Sequence, residues 1–144
     1  MIARLMLHAA VGLALVIGVR EVPAQSTASE GDAIVGTWIT SDSSSKVQVV
    51  SSGGIYSGTV VWLKAATAVD SKNSDPSLRS RPIMGIAILS GFSYKGSDVW
   101  EGGKIYSPRR GNTYDGVLTL NKDGTLSVKA KSGLGSKTVV WRRA

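Results

Sequence analysis

Residues 113–131 read TYDGVLTLNKDGTLSVKAK and carry the clearest structural signal in the chain. Apolar and polar side chains alternate on both sides of Asn121-Lys122-Asp123-Gly124, in which Asp-Gly supplies the positive φ that a tight turn requires. The pattern predicts an antiparallel hairpin whose lysines point outward. Its inward face would be formed by Leu118, Leu120, Leu126 and Val128.

Similar short segments fill the rest of the chain between clusters of turn residues, and no window sustains helical periodicity. We therefore predict an all-β protein with antiparallel strands. The strands would cover residues 34–40, 46–51, 55–63, 83–89 with a continuation over 90–94, 99–106, 113–120, 125–131 and 137–142. Only one connection, at about residues 64–82, is long, and this favours an up-and-down β-barrel because closure removes exposed strand edges. A two-sheet β-sandwich is the alternative.

Residues 1–24 have the features of a secretory signal peptide. Arg4 precedes an apolar run over 5–19, and Val22 and Ala24 place small residues at the expected cleavage site. The run is short for a membrane span. We therefore expect cleavage before Gln25, export to the bacterial periplasm or exterior, and no membrane span in the mature chain. A flexible lead over 25–32 and a single barrel domain over 33–144, monomeric, would follow.

The composition excludes several kinds of chemistry. The chain has no cysteine, and its one histidine, His8, lies in the predicted signal peptide. A mature chain without His or Cys cannot form His/Cys zinc sites, Ser-His-Asp triads or cysteine nucleophiles. The formal net charge is +7, and we expect no metal and no cofactor. Nucleic acid is an improbable partner for an exported protein, whereas anionic envelope components suit a basic surface.

Two short motifs indicate how the barrel closes. Gly36-Thr37-Trp38 in the first strand and Trp141-Arg142-Arg143 in the last resemble a lipocalin-like arrangement, in which a first-strand tryptophan closes the floor and a basic residue lies across its ring. Strand alternation places Trp141 and Arg143 on one face, so Arg143 is the first choice for that role and Arg142 the second.

Longer motifs point to one family. The segments are GTVVWL at 58–63, DPSLRSRPIMG at 75–85, ILSGF at 88–92, WEGGKIY at 100–106 and GNTY at 111–114. Together with the first-strand motif they resemble the family of secreted bacterial proteins called domain of unknown function 2147. The resemblance implies a small periplasmic β-barrel without an established activity. Ser107 stands where that family often has an acidic residue.

The long connection carries the first candidate ligand residues. Arg79 and Arg81 are two residues apart and lie between Pro76 and Pro82, which restrict the backbone. They could bind a carboxylate or phosphate of a ligand, or pair with Asp70 or Asp75 and lock the loop onto the barrel. We expect residues 70–85 to fold over one barrel mouth. Asp75, Pro76 and Pro82 would have structural roles, as would Gly36, Trp38 and Arg143.

Aromatic residues with a polar group supply the other candidates, because they suit a half-wet cavity as well as a core. They are Trp62, Trp100, Tyr106 and Tyr114. The favoured function is binding of a small amphipathic or anionic envelope molecule, without enzymatic activity. A structural or protein-interaction module with a filled barrel is the second hypothesis. The third is a hydrolase that uses carboxylates only, with Glu101 and a loop aspartate.

Overall fold

The protein is described by a computed structural model, which covers residues 29–144. The predicted signal peptide and residues 25–28 lie outside the described residues. Eight strands follow one another: β1 (Gly36–Ile39), β2 (Ser45–Ser52), β3 (Ile55–Leu63), β4 (Ala87–Tyr94), β5 (Val99–Ser107), β6 (Asn112–Leu120), β7 (Leu126–Ser132) and β8 (Gly135–Arg143). Two 3₁₀ turns, η1 (Glu30–Ile34) and η2 (Pro76–Leu78), complete the described secondary structure.

The strands form one closed antiparallel barrel in chain order. Each strand pairs with the next, and β8 pairs with β1 through Trp38–Arg143 and Ile39–Arg142. The predicted up-and-down barrel is confirmed, and the β-sandwich alternative is wrong. The predicted fourth strand differs from the structure at its start, because residues 83–86 belong to the long connection and β4 begins at Ala87.

The up-and-down order puts alternate connections at opposite ends of the barrel. We call the end with the β1–β2, β3–β4, β5–β6 and β7–β8 connections the open end, and the other end the closed end. The closed half is filled by large side chains that are less than 2 % exposed, including Trp38, Tyr56, Leu89, Phe92, Trp100, Leu118 and Leu126. Gly103 and Gly116 allow Phe92 to pack directly on the backbone, because a Cβ at either glycine would overlap it.

The 3₁₀ turn η1 covers the closed end. Ile34 is fully buried, and the backbone carbonyl of Gly31 accepts a 3.1 Å hydrogen bond from Trp100 Nε1. The hydroxyl of Tyr56 donates to Asp32 over 2.7 Å. In the structure, therefore, Gly31 and Asp32, from the segment predicted as a flexible lead, have partners at the closed end that sequence composition does not reveal. In residues 29–144, no helix has the length and apolar character of a membrane span.

Candidate functional site

A cavity of about 610 Å³ opens at the open end of the barrel. Its inner wall is apolar, because inward positions of five strands near this end, together with Ile83 of the long connection, carry apolar side chains. The wall consists of Val60, Leu63, Ile83, Ile88, Ile105, Val128, Ala130, Val139 and Trp141. The volume lies in the range of ordinary small-ligand pockets.

The rim of the cavity is polar and carries an excess of positive charge. Three basic side chains, from the β5–β6 connection and β8, contribute to it: Arg109, Arg110 and Lys137. Asp42 is the one acidic residue among the described lining residues, and its carboxylate accepts a 2.9 Å hydrogen bond from Arg109 Nη2. Within residues 29–144, Arg110 and Lys137 pair with no carboxylate.

Asp42 stays ionised at the rim over the whole physiological range. The pKa of its carboxyl group is lowered to about 2, chiefly because the Ser44 hydroxyl donates to it over 2.7 Å. The Ser44 backbone amide, Thr40 and Arg109 contribute further. Asp42 therefore neutralises Arg109 and leaves the charges of Arg110 and Lys137 available to a ligand.

Two of the predicted ligand residues line the cavity. Tyr106 and Tyr114, on β5 and β6, are half-buried and contribute to its wall. The Tyr106 hydroxyl donates a short hydrogen bond to Asp70 Oδ1 and is therefore directed at the long connection. Tyr114 offers its ring to the same cavity from the neighbouring strand, across from Ile105 in the β5–β6 register.

Asp70 joins the long connection to the barrel wall. Its carboxylate is fully buried and accepts hydrogen bonds from Asn73 Nδ2 at 2.8 Å and Arg81 Nε at 2.9 Å, as well as from Tyr106. Burial alone would raise the pKa of Asp70, but these three donors outweigh it and leave the pKa below its usual value. Burial and the Asp70 charge raise the pKa of Tyr106 to about 12.

Arg79 and Arg81 do not line the cavity. Arg81 binds the Asp70 carboxylate and lies over the Tyr106 ring, with its Cζ 5.5 Å from the ring centroid. Arg79 Nε donates to the backbone carbonyl of Asn73 over 2.8 Å. The Arg81 contact corresponds to the second role left open by the sequence, pairing with Asp70, whereas Arg79 binds the backbone of its own loop and pairs with neither Asp70 nor Asp75.

Of residues 70–85, which we predicted to fold over the mouth, only Ile83 lines the cavity. The backbone amide of Ser74 donates to Gly111 O over 2.9 Å, so this part of the loop packs on the β5–β6 connection. Residues 68–70 and 81–83 pair with each other through Val69–Pro82 and the adjacent hydrogen bonds. The buried Asp70 carboxylate holds the connection to β5 through the hydroxyl of Tyr106.

Trp62 points away from the cavity and is 41 % exposed. Simple alternation from Val60 would turn it inward, but a β-bulge opposite Lys46 and Val47 adds one residue to β3. Val60 and Leu63 therefore face the cavity, and Trp62 packs outside under Lys46, whose Nζ is 5.4 Å from the ring centroid.

Trp100 is fully buried at the closed end, far along β5 from the rim. Its ring packs against Tyr94, with ring centroids 4.9 Å apart, and its indole nitrogen binds Gly31 O. Trp62 and Trp100 are therefore not brought together with Tyr106 and Tyr114, and the predicted aromatic cluster divides among the outer surface, the closed end and the cavity.

The residues predicted to have structural roles occupy two places. At the closed end, Arg143 Cζ lies 4.2 Å from the centroid of the Trp38 ring, and a Cβ at Gly36 would approach Arg143 Nη1 to 2.8 Å. In the long connection, Asp75 caps η2 by accepting from the Ser77 amide over 2.9 Å, and Pro76 begins that turn. Pro82 forms the isolated bridge to Val69.

The rim cations are the site residues that sequence reasoning missed. Pro108-Arg109-Arg110-Gly111 has the appearance of an ordinary turn, and Lys137 looks like one member of a solvated strand face. The sequence did contain a signal for Lys137. It lies two residues before Val139 and four before Trp141 on β8, so strand alternation points all three side chains to the inner face of the barrel.

The acidic candidates do not converge. Glu101 is exposed on β5 beside the bulge at Gly102 and does not line the cavity. Among residues 29–144, no group of three or more His, Cys, Asp or Glu side chains is arranged to hold a metal ion. Asp70, Asn73 and Asp75 serve the loop through hydrogen bonds to side chains and backbone amides.

An eight-stranded up-and-down barrel with a tryptophan and arginine at its floor and one apolar cavity at its mouth defines a lipocalin-like protein. The chain belongs to the family described as an uncharacterised protein conserved in bacteria, DUF2147, whose model matches residues 36–143.

This chain is similar to a solved structure. It is protein HP1028 from the human pathogen Helicobacter pylori, which belongs to the lipocalin family. The two chains are 26 % identical with a TM-score of 0.67, and the match covers 76 % of this chain and 82 % of the other. No curated protein matches the sequence closely enough to be called a relative.

Proposed function

We propose that this protein is an exported, periplasmic or secreted, monomeric carrier that takes one amphipathic anion into its barrel. The observation that supports the proposal most is the cavity itself, apolar inside and basic at the rim. An acyl or other apolar group would occupy the wall formed by residues such as Val128, Val139 and Trp141, and the anionic group would stay at the mouth.

The charge at the rim sets the preference for an anion. Arg110 and Lys137 pair with no carboxylate in the described chain, whereas Arg109 is neutralised by Asp42. A carboxylate or phosphate between two such cations in a partly desolvated mouth gains charge-assisted hydrogen bonds. The likeness to a lipocalin-family structure supports small-molecule binding in general, and the basic rim supports this ligand chemistry.

The two alternative functions have less support. A filled barrel would leave no void larger than a few waters, whereas the open half contains about 610 Å³. A hydrolase with two carboxylates needs an acid and a base or nucleophile facing one substrate bond. In the described residues the cavity presents Asp42 alone, and its low pKa makes it a poor proton donor.

The proposal is tested by fluorescence titration with a fluorescent long-chain fatty acid and with its methyl ester. We expect the acid to bind at least about tenfold more tightly, since the ester retains the apolar group but lacks the charge. Arg110→Gln with Lys137→Gln should remove the preference and leave ester binding unchanged. Equal affinities for acid and ester in the unmodified protein, or binding of neither, would overturn the proposal.

A further inference from the structure

The two ends of the barrel differ in charge. The four connections at the open end contain six basic and three acidic residues: Lys64, Lys72, Arg79, Arg81, Arg109 and Arg110 against Asp42, Asp70 and Asp75. The connections at the closed end, with residues 29–35, contain two basic and four acidic residues: Lys95 and Lys122 against Glu30, Asp32, Asp98 and Asp123. Arg143, at the floor of the barrel, adds one further cation to the closed end. With that charge included, the molecule is still polarised along the barrel axis, with its positive pole at the mouth.

The cavity wall and β7 add to this positive pole. Lys137 stands at the rim, and Lys131 lies one position before the end of β7 on the outer face. Two of the three acidic residues at the open end, Asp42 and Asp70, already pair with arginines. Each of these ion pairs cancels one cation as well as one anion, so the connections keep their excess of positive charge, to which Lys137 adds. Lys131 lies opposite Asp115 of β6 and is partly offset by it.

A leucine projects from the same end. Leu134 is 102 % exposed at the tip of the β7–β8 connection, between Lys131 and Lys137 along the chain. An apolar side chain that is fully exposed to water is unfavourable in free energy, and moving it into an apolar medium removes that cost. Cations on either side of it favour a medium whose surface is anionic. Met84, in the long connection of the same end, is a second exposed apolar side chain, at 37 %.

We infer that the open end docks on the surface of an anionic lipid bilayer, with Leu134 entering the headgroup layer and the surrounding cations facing lipid phosphates. Each basic residue held near an anionic membrane favours binding, and salt weakens the attraction. In this orientation the cavity opens directly toward the bilayer. The inference goes beyond ligand binding and holds whether or not a ligand occupies the cavity.

The test uses co-sedimentation with vesicles of phosphatidylcholine and with equimolar phosphatidylcholine and phosphatidylglycerol. All variants are produced in the same host, so that processing leaves the same N-terminus on each of them. We expect binding to the anionic vesicles only, and weaker binding as salt rises. The double variant Lys64→Glu and Lys72→Glu should lower the partition coefficient by about tenfold or more.

The matched control is Lys95→Glu with Lys122→Glu, which changes the net charge equally at the closed end and should have little effect. Leu134→Ser should weaken binding several-fold, whereas Ile55→Ser, a closed-end residue with 46 % exposure, should not. Equal losses for the two lysine pairs, or no binding to anionic vesicles, would overturn the inference. Insensitivity to Leu134→Ser would do so too, because vesicle binding by charge alone would show that the leucine does not enter the headgroup layer.

None of these four variants alters a side chain on the cavity wall, apart from Leu134 at its rim. Titration with the fluorescent fatty acid therefore separates the two proposals. Loss of vesicle binding with normal fatty-acid affinity in the Lys64→Glu and Lys72→Glu variant supports docking as an independent property.

Discussion

Arg143 is the residue whose single replacement tells most about how the barrel closes. Its guanidinium lies on the Trp38 ring and donates to the backbone carbonyls of Val35, at 3.0 Å, and Ala33. It thus ties the last strand to the segment that enters the first. Arg142, its neighbour, contacts only the Ser43 hydroxyl, at 3.1 Å, among side-chain partners in the described residues.

We predict that Arg143→Ala lowers the free energy of unfolding by about 2 kcal/mol, the sum of a cation–π contact and charged hydrogen bonds at a partly exposed site. Arg142→Ala should cost less than about 0.5 kcal/mol, as is usual for a surface side chain. Chemical denaturation of the two variants measures both values. Equal losses would contradict the assignment of Arg143 to the floor.

Asp70 should make the free energy of unfolding depend on pH in the acidic range. Because the pKa of its carboxyl group is lower in the folded state than in the unfolded state, its contribution is complete above about pH 4 and is lost as the pH falls through the folded-state pKa. Asp70→Asn should reduce stability at neutral pH by about 3 kcal/mol, since it leaves Arg81 without its partner. The variant should also lose less stability on acidification than the unmodified protein.

Denaturant melts of both proteins at neutral and acid pH provide the test. A second measurement follows from Tyr106, whose pKa is raised to about 12 by burial and by the Asp70 charge. Ultraviolet titration of tyrosinate should show one tyrosine ionising nearer to pH 10 in Asp70→Asn. An unchanged titration curve would mean that Asp70 does not hold Tyr106 in solution.

Among the elements, the long connection depends on Gly111. Its φ is +73°, and a Cβ at this position would overlap the backbone carbonyl of Lys72. Gly124 in the β6–β7 turn has a similar φ of +86° but nothing within 4 Å of a Cβ. Both glycines therefore adopt a positive φ that other residues rarely adopt. Only Gly111 is also in contact with the long connection.

We predict that Gly111→Ala detaches residues 64–82 from the β5–β6 connection, whereas Gly124→Ala leaves them in place. Limited proteolysis should cleave the long connection faster in Gly111→Ala by at least about tenfold, while both variants lose about 1 kcal/mol from the strained φ. Similar cleavage rates would show that the contact with Lys72 does not hold the connection.

The barrel and its register could be predicted because they depend on alternation. Leu118, Leu126 and Val128 are buried and the register of β6 with β7 places Leu120 opposite Leu126, as the Asp-Gly turn indicates. The side of the barrel on which Trp62 lies could not be predicted. A β-bulge in β3 reverses which residues face inward beyond it, and no distinctive residue pattern marks the bulge in the sequence. The partner of Arg81 could not be predicted either, because both Asp70 and Asp75 lie near it in the sequence and only the folded loop selects Asp70.

The basic residues at the rim of the cavity could not be predicted, because their proximity depends on the folded barrel. Arg109, Arg110 and Lys137 come together only because the barrel brings the β5–β6 and β7–β8 connections to one end. Sequence spacing does not encode that proximity, since the residues are separated along the chain by two strands. The two tyrosines of the cavity were candidates because an aromatic ring with a hydroxyl group suits a half-wet cavity, and that property is visible in the residue type alone.

At the scale of the whole molecule, the barrel is divided into a filled half and an open half. The closed half contains most of the large aromatic side chains of the core and is covered by η1, and the core continues into the cavity wall. The open half encloses a cavity, so its side chains make fewer packing contacts. Such a void lowers the stability of the fold unless a bound ligand fills it. The division is the physical basis for treating the open half as a binding site.

The central claim, that ligand enters this cavity, is tested most directly by filling it. Ala130→Trp with Val139→Trp places two indoles on the inner wall, and Lys129→Trp with Val140→Trp places two on the outer face of the same strands. In fluorescent fatty-acid titrations, we predict that the inner pair weakens binding by about a hundredfold or more and that the outer pair leaves it within about twofold, at comparable melting temperatures. Unimpaired binding by the folded inner-pair variant would contradict the claim.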